Sequence, residues 1–281
     1  MAPVSDAVVD EVELNHLGSL AVTVLAGALL IGAARTSAVA LLVAIAVVQA
    51  VLAVAWVFGT SVPGRKGALV IAALAAAGAD VTVSVWPAGR LGTLVPVFAL
   101  AIPAMFVHQL MRGAARVRVV ESLGGVALIV VAMAALPALL QLRHEFAGPT
   151  LGGRVVGGVV AAAAGALVVG YLVDLMLAAP RFDPSVSRGL LAVVASTGLG
   201  GSIGHLMLRS DAEFLNGRGA FTGAALGALV AFFAVGVAFI ERSSPLPTAS
   251  FARRTRPILS ALMPLSLLAP VAFVLCLAIR V

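Results

Sequence analysis

The sequence predicts an all-α protein, a polytopic transmembrane helical bundle of about nine spans with no extramembrane domain. Three observations support this fold class. Hydrophobic residues make up 62% of the chain and charged residues only 11%, which excludes a water-soluble core. The apolar residues form runs of about 20, the length that an α-helix needs to cross a bilayer. These runs and their short connections fill nearly all of the 281 residues.

The first 16 residues form a short acidic segment with no lysine or arginine. A signal peptide begins with a basic region, so no cleavage is expected. Residues 17–281 are predicted to form a single transmembrane domain. Its expected spans cover residues 17–34, 37–58, 68–86, 91–107, 122–140, 155–177, 189–207, 220–240 and 258–279.

Several connections have a predictable shape. The first two spans are separated by so few residues around Arg35 that they must form a tight antiparallel hairpin. Pro103 is expected to bend the fourth span and Pro137 to interrupt the fifth, because proline lacks a backbone N–H and clashes with the preceding turn. Residues 108–121 are predicted to lie along the membrane surface as a helix, and residues 141–154 to form a polar connection.

Basic residues divide unequally between alternate connections, eleven on one side and seven on the other. The side with the larger number, the basic face, is predicted to be cytoplasmic in a cell membrane, which places the N-terminus inside. It comprises Arg65, Lys66, Arg112, Arg116, Arg118, Arg181, Arg188, Arg242, Arg253, Arg254 and Arg256.

Six of these arginines are candidates for contact with lipid headgroups. They are Arg112, Arg116 and Arg118 in one connection and Arg253, Arg254 and Arg256 in another. Short basic connections beside a bilayer attract anionic lipids. The net charge of +6 therefore points to the membrane surface and not to nucleic acid.

Four residues are candidate buried polar groups inside predicted spans: Gln49, Asp80, Asp174 and His205. An ionisable group at this depth is costly and suggests a function. Gln49 is expected to make an interhelical hydrogen bond. Asp174 and His205 lie near opposite faces of the membrane and cannot pair, whereas the depth of Asp80 suits a pairing with His205. Tight packing around satisfied polar groups, catalysis and ion conduction all remain open for these residues.

Small residues follow the helical period on the faces that carry Asp174 (Gly170, Ala166, Ala163) and His205 (Ser202, Gly201, Gly198), which indicates close helix packing. Residues 200–204 match the letters of a Gly-x-Ser-x-Gly nucleophile elbow, but that motif needs a strand-to-helix turn. No His, Cys or carboxylate cluster has metal-ligand spacing, and Cys276 is the only cysteine. The sequence therefore predicts no catalytic residue, metal or cofactor.

Three segments resemble motifs of one enzyme family. They are the loop Gln109-Leu-Met-Arg-Gly-Ala-Ala-Arg-Val-Arg-Val-Val, Asp174 followed by Phe182-Asp-Pro-Ser-Val-Ser-Arg-Gly, and the terminal run from Arg253 to Val271. In order they are similar to the Arg-Leu-x-x-Gly connection, the Asp-x-Gly-Gly-Tyr helix with its following loop, and the last span of the phosphatidate cytidylyltransferases (CDP-diacylglycerol synthases). That resemblance implies joining of CTP to phosphatidic acid at the cytoplasmic face with divalent metal ions.

The departures from that family fall on its chemistry. Its lysines are absent after Pro184, its Gly-His-Gly-Gly segment is absent before Arg253, and its paired aspartates are replaced by Arg and Thr-Arg-Pro. Metal-dependent transfer needs carboxylates to hold the cations. The resemblance therefore implies a relative that has lost catalysis and kept a groove for a lipid headgroup.

Three classes of function follow. The first is a non-catalytic membrane protein that binds a protein partner or a lipid in the cell envelope. The second is a proton- or ion-coupled transporter or flippase that uses Asp80, Asp174 and His205. The third is a phosphatidate cytidylyltransferase-like, lipid-modifying enzyme. We favour the first, since the motifs of the third are missing and no inverted repeat supports the second.

Overall fold

A computed structural model describes residues 6–60, 63–113, 118–146, 150–177, 180–183, 186, 188–208, 218–243 and 250–280, without the side chains of residues 6–14, 89, 243, 250–254 and 280. In these ranges the chain forms ten α-helices and one 3-10 helix. The helices are α1 (Asp6–Thr36), α2 (Ala38–Gly59), α3 (Arg65–Val85), the 3-10 helix (Pro87–Leu94), α4 (Val95–Met111), α5 (Val119–Ala135), α6 (Ala138–Glu145), α7 (Leu151–Met176), α8 (Leu190–Met207), α9 (Arg218–Ser243) and α10 (Ser250–Arg280).

Nine segments of the described chain are long and apolar enough to cross a membrane. Each coincides with a predicted span to within a few residues at either end. The helices α5 and α6 share one crossing, because the chain breaks at Leu136 and Pro137 as the proline predicts. The predicted fold class is confirmed: the chain is a multi-pass membrane protein built as a helical bundle.

The predicted hairpin between the first two spans is confirmed. The helix α1 ends at Thr36 and α2 begins at Ala38, which leaves Ser37 as the single residue between them. Ser37 has extended backbone (φ −159°, ψ 166°), and its hydroxyl accepts a hydrogen bond of 3.0 Å from the N–H of Ala40. This N-cap satisfies one of the unpaired donors of the first turn of α2.

The predicted surface helix over residues 108–121 is wrong for the residues that the structure describes. The helix α4 continues to Met111, and Val119 already belongs to α5. The helix stops because Gly113 adopts a positive φ of 55°, a frequent C-terminal signal of helices, and Arg118 adopts one of 53°. Arg116 lies outside the described residues.

The predicted polar connection over residues 141–154 is also too long. The helix α6 continues to Glu145, and α7 begins at Leu151. Helical structure persists because two polar side chains find backbone acceptors on neighbouring segments: Gln141 donates to the carbonyl of Pro87, and Arg143 to that of Ala34. These hydrogen bonds satisfy the side chains of Gln141 and Arg143, which would otherwise be unpaired inside the bilayer.

The helix α7 is the centre of the bundle, with 72% of its most apolar stretch buried inside the protein, against 22% for the crossing that contains α4. It packs against α1, α6, α8, α9 and α10. Small residues permit this close packing. Gly170 receives the side chain of Ser196, whose hydroxyl donates to the carbonyl of Ala166 at 2.7 Å.

The closest helix pair is α8 with α9, which touch backbone to backbone through glycines. A Cβ added at Gly200 or Gly204 would collide with the backbone of Gly219, Gly223 or Gly227. The predicted packing role of the glycine-rich run around residue 200 is confirmed, and it lies inside a helix, where a nucleophile elbow cannot form. The closest contacts are those of Gly200 and Gly204; of the predicted His205 face, Gly201 also packs against Ala220 and Ala224 of α9, whereas Gly198 does not.

Candidate ligand site at the basic face

Polar side chains from several helices meet at the basic face of the bundle. We call this group the polar end cluster. It comprises His16 on α1, Tyr171 and Asp174 on α7, Arg188 in the connection before α8, Glu241 on α9 and Ser260 on α10. These side chains lie on or beside the helical turns nearest this face. A polar group there can lie outside the hydrocarbon of the bilayer and still be buried in the protein.

Asp174 stabilises the connection between α7 and α8 through two hydrogen bonds. One carboxylate oxygen accepts from Arg188 Nη1 at 3.0 Å, and the other accepts from the N–H of Gly189 at 2.9 Å. The two side chains are only 2% and 6% exposed. Backbone bonds close the same loop, since Leu190 donates to Pro180 at 3.0 Å and Phe182 to Arg188 at 3.2 Å. Asp174 therefore holds this loop against the bundle.

Arg188 extends the network into the core through an aromatic ring. Its guanidinium carbon lies 4.0 Å from the centroid of the Tyr171 ring, a cation–π geometry. The Tyr171 hydroxyl donates to the carbonyl of Ser260 at 2.7 Å, and the ring of His16 meets Tyr171 edge-on at 6.0 Å. Tyr171 thus ties together α1, α7 and α10.

A cleft opens beside this cluster between α2, α9 and α10, and we call it the Trp56 cleft. The cleft is narrow and partly open to the surroundings of the protein. Its lining residues are Trp56, Gly59, Thr60, Val237, Ile240, Glu241, Arg256, Leu259 and Met263. One cation, one anion and an indole therefore share a cleft with largely apolar walls.

Close contacts hold together the three helices that line the cleft. Glu241 is half-buried and accepts a hydrogen bond of 2.9 Å from the Ser260 hydroxyl, which fixes α9 to α10. The helix α10 reaches α2 because Gly59 has no side chain; a Cβ there would strike the hydroxyl of Thr255. Thr60 ends α2 by donating its hydroxyl to the carbonyl of Trp56 at 2.6 Å.

Trp56 carries an unsatisfied donor. Its side chain is 4% exposed, and its indole N–H is buried with no acceptor in the described part of the chain. Buried donors in proteins are rarely left unpaired, and an indole N–H usually finds a partner. Because Trp56 also lines the Trp56 cleft, its unpaired N–H is a candidate donor for a ligand that binds there.

A second polar contact lies deeper, among α2, α3 and α5. Gln49 Nε2 donates to Asp80 Oδ1 at 3.2 Å and to the carbonyl of Met133 at 3.0 Å. The interhelical hydrogen bond predicted for Gln49 is confirmed. The predicted pairing of Asp80 with His205 is wrong: Asp80 faces Gln49, and His205 lies on an exposed face of α8, which packs mainly on α7 and α9.

The headgroup arginines have different surroundings. Arg112 donates to Gln109 at 2.7 Å, and Gln109 bonds in turn to Ser122 at 2.7 Å, which ties the end of α4 to α5. Arg118 is exposed and pairs with Glu121, whose hydrogen bond raises the pKa of the guanidinium. Side chains of Arg253 and Arg254 lie outside the description. Arg256 lines the cleft.

Sequence reasoning missed most of this site. The predicted spans leave Glu241 in the connection after residue 240, and the sequence gives Arg188 no partner. The position of Trp56 could have indicated this site. A tryptophan three residues before the end of a span lies at the membrane interface, where its N–H can hydrogen-bond to polar groups. Which helices would meet there could not be read from the sequence.

The residues present do not fit the divalent metal that the family resemblance implies. In the described ranges, no group of three His, Cys, Asp or Glu side chains could hold a metal ion. Asp174, the residue matched to the family's aspartate, has both oxygens bonded within the protein. No chemical step through a metal can be built on these side chains.

The surroundings of Trp56 and Arg256 suit a binding site, while those of Asp174 suit a structural contact. Comparisons of the chain with family models, with curated proteins and with solved structures found no match. The resemblance to phosphatidate cytidylyltransferases stays a prediction, and the functional assignment depends on the geometry of this site.

Proposed function

We propose that this protein is a non-catalytic membrane protein that binds the phosphate group of a lipid in the Trp56 cleft. The observation that carries this proposal is that Trp56, whose buried N–H is unpaired in the described chain, and Arg256 line the same cleft. A phosphate oxygen would accept from the indole while the guanidinium binds the charge. Arginine is well suited to phosphate because its planar donors can bind two oxygens at once.

The position and the walls of the cleft favour a lipid over a free anion. The cleft lies at the ends of α2 and α9 and near the start of the crossing Thr255–Ile279, the level of the headgroups. Val237, Leu259 and Met263 supply apolar walls beside the charged groups. An acyl chain that covers such a wall gains about 25 cal/mol for each Å² removed from water.

The engaged carboxylate of Asp174 favours binding over catalysis. Asp174 has both oxygens bonded, one to Arg188 and the other to the N–H of Gly189. A transporter or a transferase of the kinds considered above needs a carboxylate that can exchange a proton or a cation. The contacts of Asp174 stabilise the connection between α7 and α8 instead.

Lipid that co-purifies with the protein tests this proposal. We expect native mass spectrometry of protein extracted in a mild detergent to show bound phospholipid. Arg256→Gln should reduce its occupancy about tenfold or more, because a hydrogen bond to a charged group contributes about 1.5–3 kcal/mol. Arg65→Gln is the matched control, since Arg65 is an exposed cation of the same face outside the cleft.

Three outcomes would contradict the proposal. Wild-type protein could carry no phospholipid, Arg256→Gln could retain as much as Arg65→Gln, or inorganic phosphate at millimolar concentration could displace the lipid. The last result would assign the cleft to a free anion, because a lipid held partly by apolar walls resists competition from phosphate alone.

A further inference from the structure

We infer that the Trp56 cleft selects a zwitterionic phospholipid, one whose headgroup carries an ammonium group next to its phosphate. This inference depends on the proposed lipid site and adds its specificity. It comes from a single feature of the cleft: Arg256 and Glu241, side chains of opposite charge, both line it.

The ion pair of the polar end cluster does not alter this balance. Arg188 is paired with Asp174 at 3.0 Å, so the two contribute no net charge. Among the described lining residues, Arg256 and Glu241 are the charged side chains. A headgroup with one negative and one positive charge matches them, and complementary charge is a source of specificity.

Glu241 is held in place to meet an ammonium group. The Ser260 hydroxyl donates to its Oε1 at 2.9 Å, and the Ser260 carbonyl is itself bonded to the Tyr171 hydroxyl at 2.7 Å. These bonds fix the Glu241 side chain between α9 and α10. A preorganised carboxylate binds a cation with little further loss of side-chain entropy.

The same carboxylate disfavours a purely anionic headgroup. Such a lipid can satisfy Arg256 and the indole N–H of Trp56, but its second polar group, for example the glycerol hydroxyls of phosphatidylglycerol, is neutral and leaves Glu241 without a countercharge. A charge left without a countercharge is one way in which binding sites reject wrong ligands. Phosphatidylethanolamine should therefore bind more tightly than phosphatidylglycerol.

Competition between two lipids tests this specificity. Delipidated wild-type protein is offered an equimolar mixture of phosphatidylethanolamine and phosphatidylglycerol with identical acyl chains, and bound lipid is counted by native mass spectrometry. We expect a preference for phosphatidylethanolamine of roughly tenfold, the effect of one hydrogen bond between charged groups. Glu241→Gln, which has the same shape and can still accept from Ser260, should reduce the ratio toward one.

Two controls separate specificity from folding and from binding itself. Glu145→Gln removes a carboxylate at the opposite end of the bundle, where Glu145 pairs with Arg90, and should keep the wild-type ratio. Arg256→Gln should weaken both lipids, since both carry the phosphate. Thermal unfolding of each variant in detergent shows whether it has folded.

The failures are distinguishable. If wild-type protein binds both lipids equally, or if folded Glu241→Gln keeps the wild-type preference, the selection of an ammonium group is refuted while the lipid site stands. If wild-type protein binds neither lipid, the proposed function is refuted as well.

Discussion

Replacing Asp174 tests whether this residue holds the fold together or performs chemistry. The carboxylate is 2% exposed and binds Arg188, which is 6% exposed, together with the N–H of Gly189. Removing one partner of a buried ion pair leaves the other charge uncompensated and costs about 3–5 kcal/mol. Asp174→Leu should lose that amount, with a lower midpoint of thermal unfolding in detergent and a lower yield from membranes.

Asp174→Asn separates shape from charge. Asparagine can still accept from Gly189 through its amide oxygen, but it offers Arg188 no countercharge. We expect a smaller loss, about 1.5–3 kcal/mol, the contribution of one hydrogen bond to a charged group. Because the cost comes from stranding Arg188, the double variant Asp174→Asn with Arg188→Gln should lose less than the sum of the two single variants.

One result would refute this reasoning. If Asp174→Asn unfolds at the wild-type temperature but abolishes the function of the protein in cells as completely as Asp174→Leu, the charge of Asp174 acts in chemistry and not in packing. Additive losses in the double variant would also count against the ion pair. The double-variant comparison needs only purified protein, because the unfolding midpoint reports the ion pair directly.

Three further predictions follow from other contacts. Gln49→Leu leaves the carboxylate that it contacts without its donor, which should lower stability by about 1–3 kcal/mol in thermal unfolding; an unchanged midpoint would refute that contact. Gly223→Leu should prevent α8 and α9 from packing and reduce the folded yield on size-exclusion chromatography. Gly198→Leu should leave that yield unchanged, because no atom lies within 4 Å of its Cβ position; equal yields for the two variants would contradict the packing. A last pair of substitutions is made in a variant without the native buried cysteine. Thr36→Cys should react with an impermeant thiol reagent in intact cells and Phe182→Cys should not, because these two exposed positions lie at opposite faces of the membrane. The reverse labelling would invert the predicted orientation.

The spans could be predicted from the sequence because each depends on one property, an apolar run of sufficient length. Their ends were harder to predict. Gln141 and Arg143 look like loop residues by polarity, yet both lie in α6, since the carbonyls of Pro87 and Ala34 accept their hydrogen bonds. Those acceptors are more than 50 residues away in sequence, and no local pattern indicates them.

The candidate site was predicted less well, because it depends on which helices are neighbours. Depth in the membrane made His205 a plausible partner for Asp80, but depth is one coordinate of three, and α3 packs beside α2 and α5. Gln49 was recognised as an interhelical donor without its acceptor. The Trp56 cleft needs α2 and α10 to meet, and the signal for that contact is a single missing side chain at Gly59.

The glycine contact between α8 and α9 has a consequence for biosynthesis. A ribosome delivers α8 first, and α8 is the least apolar of the nine crossings found in the described chain. Until α9 enters the bilayer, the backbone at Gly200 and Gly204 has no helix against it. The two segments are therefore best inserted as one hairpin, because a nascent chain that stops after α8 leaves this glycine face uncovered.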